Sequence, residues 1–165
     1  MNYAAARPQI RSGDLLAWGH ERWGSWYDFK VQMVRVFTRS EHCHVGIAWC
    51  VGARVFVLEA VQPKVRIYPL SKLLPFYWLP AGDAWTGEAE TFALTAVGDP
   101  YSELQAVLAF FNRLRIGADH VHECAEYAIE VIRLMAPGFS ARATPSAVVQ
   151  AQQARGAPRY LVTEG

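Results

Sequence analysis

Two apolar runs, His44 to Cys50 and Val55 to Val61, stand either side of Val51-Gly52-Ala53-Arg54. The second run is rich in β-branched residues, which fit a pleated, half-buried surface. Gly52 occupies the first central position of a two-residue turn, which suits a type II′ hairpin. Side chains alternate faces along a strand. The turn therefore places His44, Gly46, Ala48 and Cys50 on one face with Val55, Val57, Glu59 and Val61. In that register Gly46 faces Glu59, and His44 and Glu59 are diagonal neighbours with Cβ atoms roughly 7–8 Å apart. A slip of one residue would put them on opposite faces.

The remaining pattern is read in the same way. Gly13-Asp14 makes a tight lead-in turn to a short strand, Leu15 to Trp18, with Asp14 serving the turn rather than chemistry. Trp26 to Phe37 carries Phe29, Met33, Val34 and Phe37 at mixed spacing and reads as a helix. Val65 to Tyr68 predicts a third strand, ended by Pro69. Leu70 to Thr86 holds Pro75, Pro80 and Gly82 among aromatics and reads as a surface loop. Helices are expected from Glu88 to Val97, from Ser102 (a capping box with Gln105), through Cys124 to Met135, and after Thr144-Pro145. A last strand covers Arg159 to Val162. Strands in one block and helices in another predict an α+β fold, a small antiparallel sheet packed on helices.

The Cys124 helix has the sharpest face. Cys124, Tyr127, Ala128, Val131, Ile132 and Met135 form a continuous apolar stripe, while Glu126, Glu130 and Arg133 mark the outer side. Gly46 and Ala48 are small enough to accept a closely packed element, and this helix is the expected one. Cys124 then lies at a helix start, where the macrodipole favours a thiolate. A thiolate, an imidazole to generate it and a carboxylate to orient that imidazole are the parts of a cysteine nucleophile. Cys124, His44 and Glu59 are the candidates. Each also has a plainer reading: a buried thiol, a structural histidine and a partnered core carboxylate. Cys43, on the face opposite His44 with Val45, Ile47 and Trp49, and Cys50 read as packing residues.

Composition narrows the class. At 165 residues with 52% hydrophobic content, the chain fits one domain, residues 1–165, with a real core. Residues 1–10, alanine-rich and interrupted by Pro8, are expected to be a flexible lead-in. A net charge of +1 offers no bulk attraction for nucleic acid, so no nucleic-acid partner is expected. No signal-peptide pattern and no long apolar run predict a cytoplasmic origin without a membrane span. A role in a phage particle or secretion assembly stays open. Three cysteines do not make a disulfide framework. His42, Cys43, His44, His120, His122 and Cys124 are metal-ligand types, but their spacing matches no zinc motif, and neither metal nor other cofactor is expected.

The ordered set Gly13-Asp14-Leu15, His44-Val45-Gly46-Ile47, Glu59-Ala60 and Cys124-Ala125-Glu126 resembles the circularly permuted branch of the NlpC/P60 papain-like superfamily, and most closely its YiiX-like group. Lecithin retinol acyltransferase relatives share the Gly-Asp-Leu opening and the His-before-Cys order. The resemblance spans about residues 11 to 130 and includes Pro100-Tyr101. It implies a permuted papain-like fold, with Cys124 as nucleophile, His44 as general base and Glu59 as third member. Ala125 departs from the group's Ser, which bears on substrate contacts. The implied activity is a cysteine-dependent amidase or peptidase working through an acyl-enzyme, with cell-wall peptide as first substrate class. A lipid esterase, amidase or acyltransferase is the alternative, with Leu73 to Trp78 offering apolar contacts. A papain-like domain retained as a binding or structural module is the non-catalytic alternative. The oligomeric state is not implied either way.

Overall fold

The computed structural model describes residues 1–19, 41–61, 64–98 and 119–165. Its strands are β1 (Leu15–Trp18), β2 (His44–Val51), β3 (Arg54–Val61), β4 (Lys64–Pro69), β5 (Phe76–Leu79) and β6 (Tyr160–Val162). Its helices are α1 (Tyr3–Ala6), α2 (Gly87–Thr95), α3 (Asp119–Met135) and α4 (Pro145–Ala154), with a 3₁₀ turn at Leu70–Lys72. Among the described residues the strands form one six-stranded sheet in the order β4-β3-β2-β1-β5-β6, each neighbouring pair antiparallel. The fold is α+β. The helices expected at Trp26 to Phe37 and from Ser102, and the segment Pro100-Tyr101, lie outside the described residues.

The central hairpin has the register that its turn predicts: Ile47 pairs with Leu58 and Val51 with Arg54. Gly52 takes φ +57°, the left-handed region where a side chain is penalised. The helix after Thr144-Pro145 forms as well. Thr144 caps it through its side chain, and Pro145, whose missing N–H costs nothing there, opens it.

The sheet buries both faces. On one, Leu15, Ala17, Val45, Ile47, Leu58, Ala60 and Leu79 meet the α3 stripe together with Ala89 and Ala93 of α2 and Val148 and Val149 of α4. On the other, Leu16, Trp18, Ala48, Val55, Val57, Phe76, Trp78 and Val162 are covered by Ala6, Ile10, Leu70 and Leu74. The Cys124 helix therefore packs on the Val45/Ile47 face and not, as expected, on the Gly46/Ala48 face. Gly46 is small for a different reason. A Cβ there would sit 2.5 Å from Val57 Cγ2 and 3.1 Å from the Leu58 carbonyl, so the neighbouring strand already fills the space.

Two other expectations change. Leu70 to Thr86 is not simply a surface loop, because it contains β5, hydrogen-bonded between β1 and β6. Phe76, Trp78 and Leu79 are buried. Pro75 and Pro80 mark the ends of this four-residue strand rather than an irregular segment, as prolines do when they bound a run whose interior N–H groups must pair. Residues 1–10 are also packed. The Met1 amine donates to the Leu161 carbonyl at 2.7 Å, Tyr3 N–H donates to the Thr163 carbonyl at 2.8 Å, and Ala6 and Ile10 are buried. The small residues of this segment let α1 lie close against the second sheet face.

Asp14 ties the layers at the β1 entrance. Its buried carboxylate accepts from the Arg11 N–H at 2.9 Å, the Trp78 indole N–H at 2.8 Å and the Ala81 N–H at 2.8 Å. Burial outweighs these donors and raises the carboxyl above its ordinary value. Asp14→Ala strips an acceptor from three donors, each costing about 1–3 kcal/mol when orphaned in the interior. The variant should lose at least about 3 kcal/mol of stability, read as a fall in the urea midpoint with unchanged slope. Among the described residues no helix is long and apolar enough to cross a membrane.

Candidate active site

The hairpin brings His44 and Glu59 together as its register requires. The His44 ring donates from Nε2 to Glu59 Oε2 at 2.6 Å. Gly46 lies between them, and a Cβ there would come within 3.3 Å of Glu59 Cβ, so its bare backbone leaves the carboxylate room to reach across. Glu59 is 2% exposed and His44 18%. The second carboxylate oxygen, Oε1, is held by Arg66, whose Nε donates at 2.8 Å and whose Nη2 lies at 2.7 Å. Arg66 is the direct cross-strand partner of Glu59. The Trp18 ring lies against the imidazole with centroids 5.4 Å apart.

The electrostatics follow from this arrangement. Burial works hardest on His44 and disfavours its charged form. The charge of Cys124, a hydrogen bond to Cys124 and the Glu59 carboxylate more than offset that, and the ring is pushed up to about 10. Burial likewise favours a protonated Glu59, but its contacts with His44 and Arg66 prevail and hold the carboxyl below its usual range. With Nε2 committed to Glu59, Nδ1 is the ring nitrogen left for the Cys124 sulfur.

Cys124 is 1% exposed and sits in the α3 core stripe. All six stripe positions are buried, and Glu126, Glu130 and Arg133 face outward. Its place along the helix differs from expectation. α3 begins at Asp119, so Cys124 stands in the second turn rather than at the start. Macrodipole effects fade within the first turn. The dipole therefore acts on the sulfur less than a helix-start position would allow. The imidazole is the group positioned to act on it. His44 reaches Cys124 although the α3 stripe covers the other sheet face. His44 is the first residue of β2, so no further β2 backbone separates its ring from the α3 layer on that side.

Among the other candidates, Cys43 and Cys50 are packing residues, although Cys43 belongs with Trp18 and not with Val45 and Ile47. Its sulfur lies 3.3 Å from the Trp18 carbonyl, and the Cys50 sulfur lies 3.4 Å from the Ile10 carbonyl. No disulfide joins the three cysteines. Among the described residues no group of three or more His, Cys, Asp and Glu is arranged to hold a metal ion. Sequence reasoning missed Arg66 and Trp18. Extending the cross-strand register to the third strand would have found Arg66 opposite Glu59, and the β1–β2 register would have set Trp18 opposite His44.

No family model matches the chain, and no curated protein matches it. Among solved structures it is similar to a DUF1105 metalloprotein, YiiX, from Escherichia coli O157:H7. The likeness has a TM-score of 0.51 at 20% identity and covers 78% of this chain and 68% of that one. At that identity the likeness is one of fold.

Proposed function

We propose that the protein is a cysteine-dependent hydrolase of the permuted papain-like type, akin to the YiiX-like group of the NlpC/P60 superfamily. One observation carries this reading: His44 is held between a buried carboxylate and the sulfur of Cys124, and both partners favour its charged form. That is the arrangement a Cys–His nucleophile needs. In the proposed reaction His44 takes the thiol proton at Nδ1. The sulfur then bonds to the carbonyl carbon of an amide. His44 returns the proton to the departing amine as the C–N bond breaks, leaving an acyl-enzyme. Water adds to the acyl carbon and gives its proton to His44. The S–C bond breaks, the carboxylic acid departs, and the thiol is regenerated. Glu59 keeps the ring oriented and stabilises the imidazolium.

An amide or peptide bond, with cell-wall peptide as the first class, is the favoured substrate. A lipid substrate drew support from an apolar Leu73 to Trp78 loop, but Phe76 and Trp78 are spent in the core. The YiiX protein is named a metalloprotein. Here both oxygens of Glu59 already receive cationic donors, a set that does not fit a metal ligand, and no step is routed through one.

Alkylation by iodoacetamide, followed by intact mass and peptide mapping, tests the reading. Cys124 should react faster than Cys43 and Cys50 despite its burial, and His44→Gln should slow it at least tenfold. A Cys124 that reacts no faster than the packing cysteines, with or without His44, would identify a binding or structural module instead.

A further inference from the structure

We propose that Arg66 is a positioning residue of this site, clamping Glu59 so that one carboxylate oxygen is always presented to His44; the inference rests on the catalytic reading above. The geometry is specific. Nε and Nη2 of Arg66 both reach Oε1 of Glu59, at 2.8 and 2.7 Å, while Oε2 faces His44 at 2.6 Å. Two donors on one oxygen hold Oε1 on the Arg66 side and leave Oε2 turned toward His44. A lysine ammonium, a point charge on a flexible stem, cannot do the same.

The clamp is itself held in place. Arg66 pairs directly with Glu59 across β3 and β4. Its guanidinium carbon lies 4.6 Å from the centroid of the Tyr68 ring, two residues along β4, so stacking supports the planar fork.

Charge adds a second role. Arg66, Glu59, His44 and the Cys124 sulfur form a row that alternates in sign when the site is charged. Among the described residues these are the titratable and charged groups facing Glu59: His44 from β2, Arg66 from β4 and, through His44, Cys124 from α3. A carboxylate buried to this degree tends to take up a proton. Arg66 opposes that without touching the sulfur or the imidazole.

The pH profile of Cys124 alkylation separates positioning from stability. In wild type, reactivity should persist on the acid side until Glu59 protonates. In Arg66→Met that acid limb should move upward by about one pH unit, the lower end of what an adjacent opposite charge supplies to a carboxyl. Arg66→Gln, closer in shape, should show the same shift if the Met variant folds poorly. Arg66→Lys should restore the limb, because the charge returns, while leaving the plateau rate reduced, because the fork does not. An unmoved limb beside a lowered melting temperature would make Arg66 a structural residue and overturn the inference alone. An inert wild-type Cys124 would overturn the functional reading, and this inference with it.

Discussion

Cys124→Ala should abolish turnover while leaving the fold intact. On the proposed mechanism the loss is at least about 10⁴-fold in kcat, since removing the nucleophile eliminates the covalent route and not one contribution to it. Stability should change little. The side chain is small, it lies on a helical stripe, and alanine is the best helix former. The packing around it is built from Ala125, Ala128 and Val131 of the same helix and from the sheet face. Hydrolysis of a panel of peptide and amide substrates, with a thermal melt of both proteins, checks the two halves separately. An Ala variant with full turnover would remove Cys124 from the chemistry. A variant melting more than several degrees lower would make the sulfur a packing atom first.

The second large effect concerns stability and its dependence on pH. Glu59→Ala leaves His44 and Arg66 facing each other across the space of a lost anion. Removing one partner of a buried charge network typically costs about 3–5 kcal/mol. For a chain of this size that corresponds to a fall in melting temperature on the order of 6–20 °C. The sign with pH follows from the two shifts. Glu59 is depressed, so its contribution is present above the ordinary carboxyl range and lost as pH falls through its folded value. His44 is raised to about 10 by Cys124 first and by Glu59 after it, so the Glu59 share of its contribution is full below the ordinary value near 6.5 and is lost as pH rises toward 10. The gap between wild type and Glu59→Ala should therefore be widest between about pH 5 and 6.5 and shrink on either side. Denaturant midpoints across pH 3 to about 10 would show it. A gap independent of pH would mean that the carboxylate matters for shape and not for charge.

Much of the site's local geometry is legible in the chain. Gly52 at a two-residue turn sets the β2–β3 register, and that register alone joins His44 to Glu59 across Gly46. The α3 stripe is legible because six residues at helical spacing share one chemistry, and all six are buried. The misreadings share a cause. Phe76 to Leu79 is too short to show a period, and its flanking prolines outweighed the aromatics between them. Residues 1–10 carry no apolar run, yet Ala6 and Ile10 complete the second core because they lie on the sheet. The missing side chain of Gly46 announced a close approach but not its partner, which is Val57 of the adjacent strand and not the helix.

What the sequence determined by itself was local: strand pairing through a tight turn, helix amphipathicity, capping at Thr144-Pro145, and a histidine and a carboxylate on one face of a hairpin. These rest on periodicities of two and 3.6 and on turn stereochemistry, which act over a few residues. The tertiary structure alone decided which sheet face α3 covers, where along the helix Cys124 stands and that its sulfur reaches the free side of the His44 ring. It also decided that Arg66 closes the far end of the row. Those outcomes depend on filling two layers around one sheet at close-packed density, a condition that only the whole chain can satisfy.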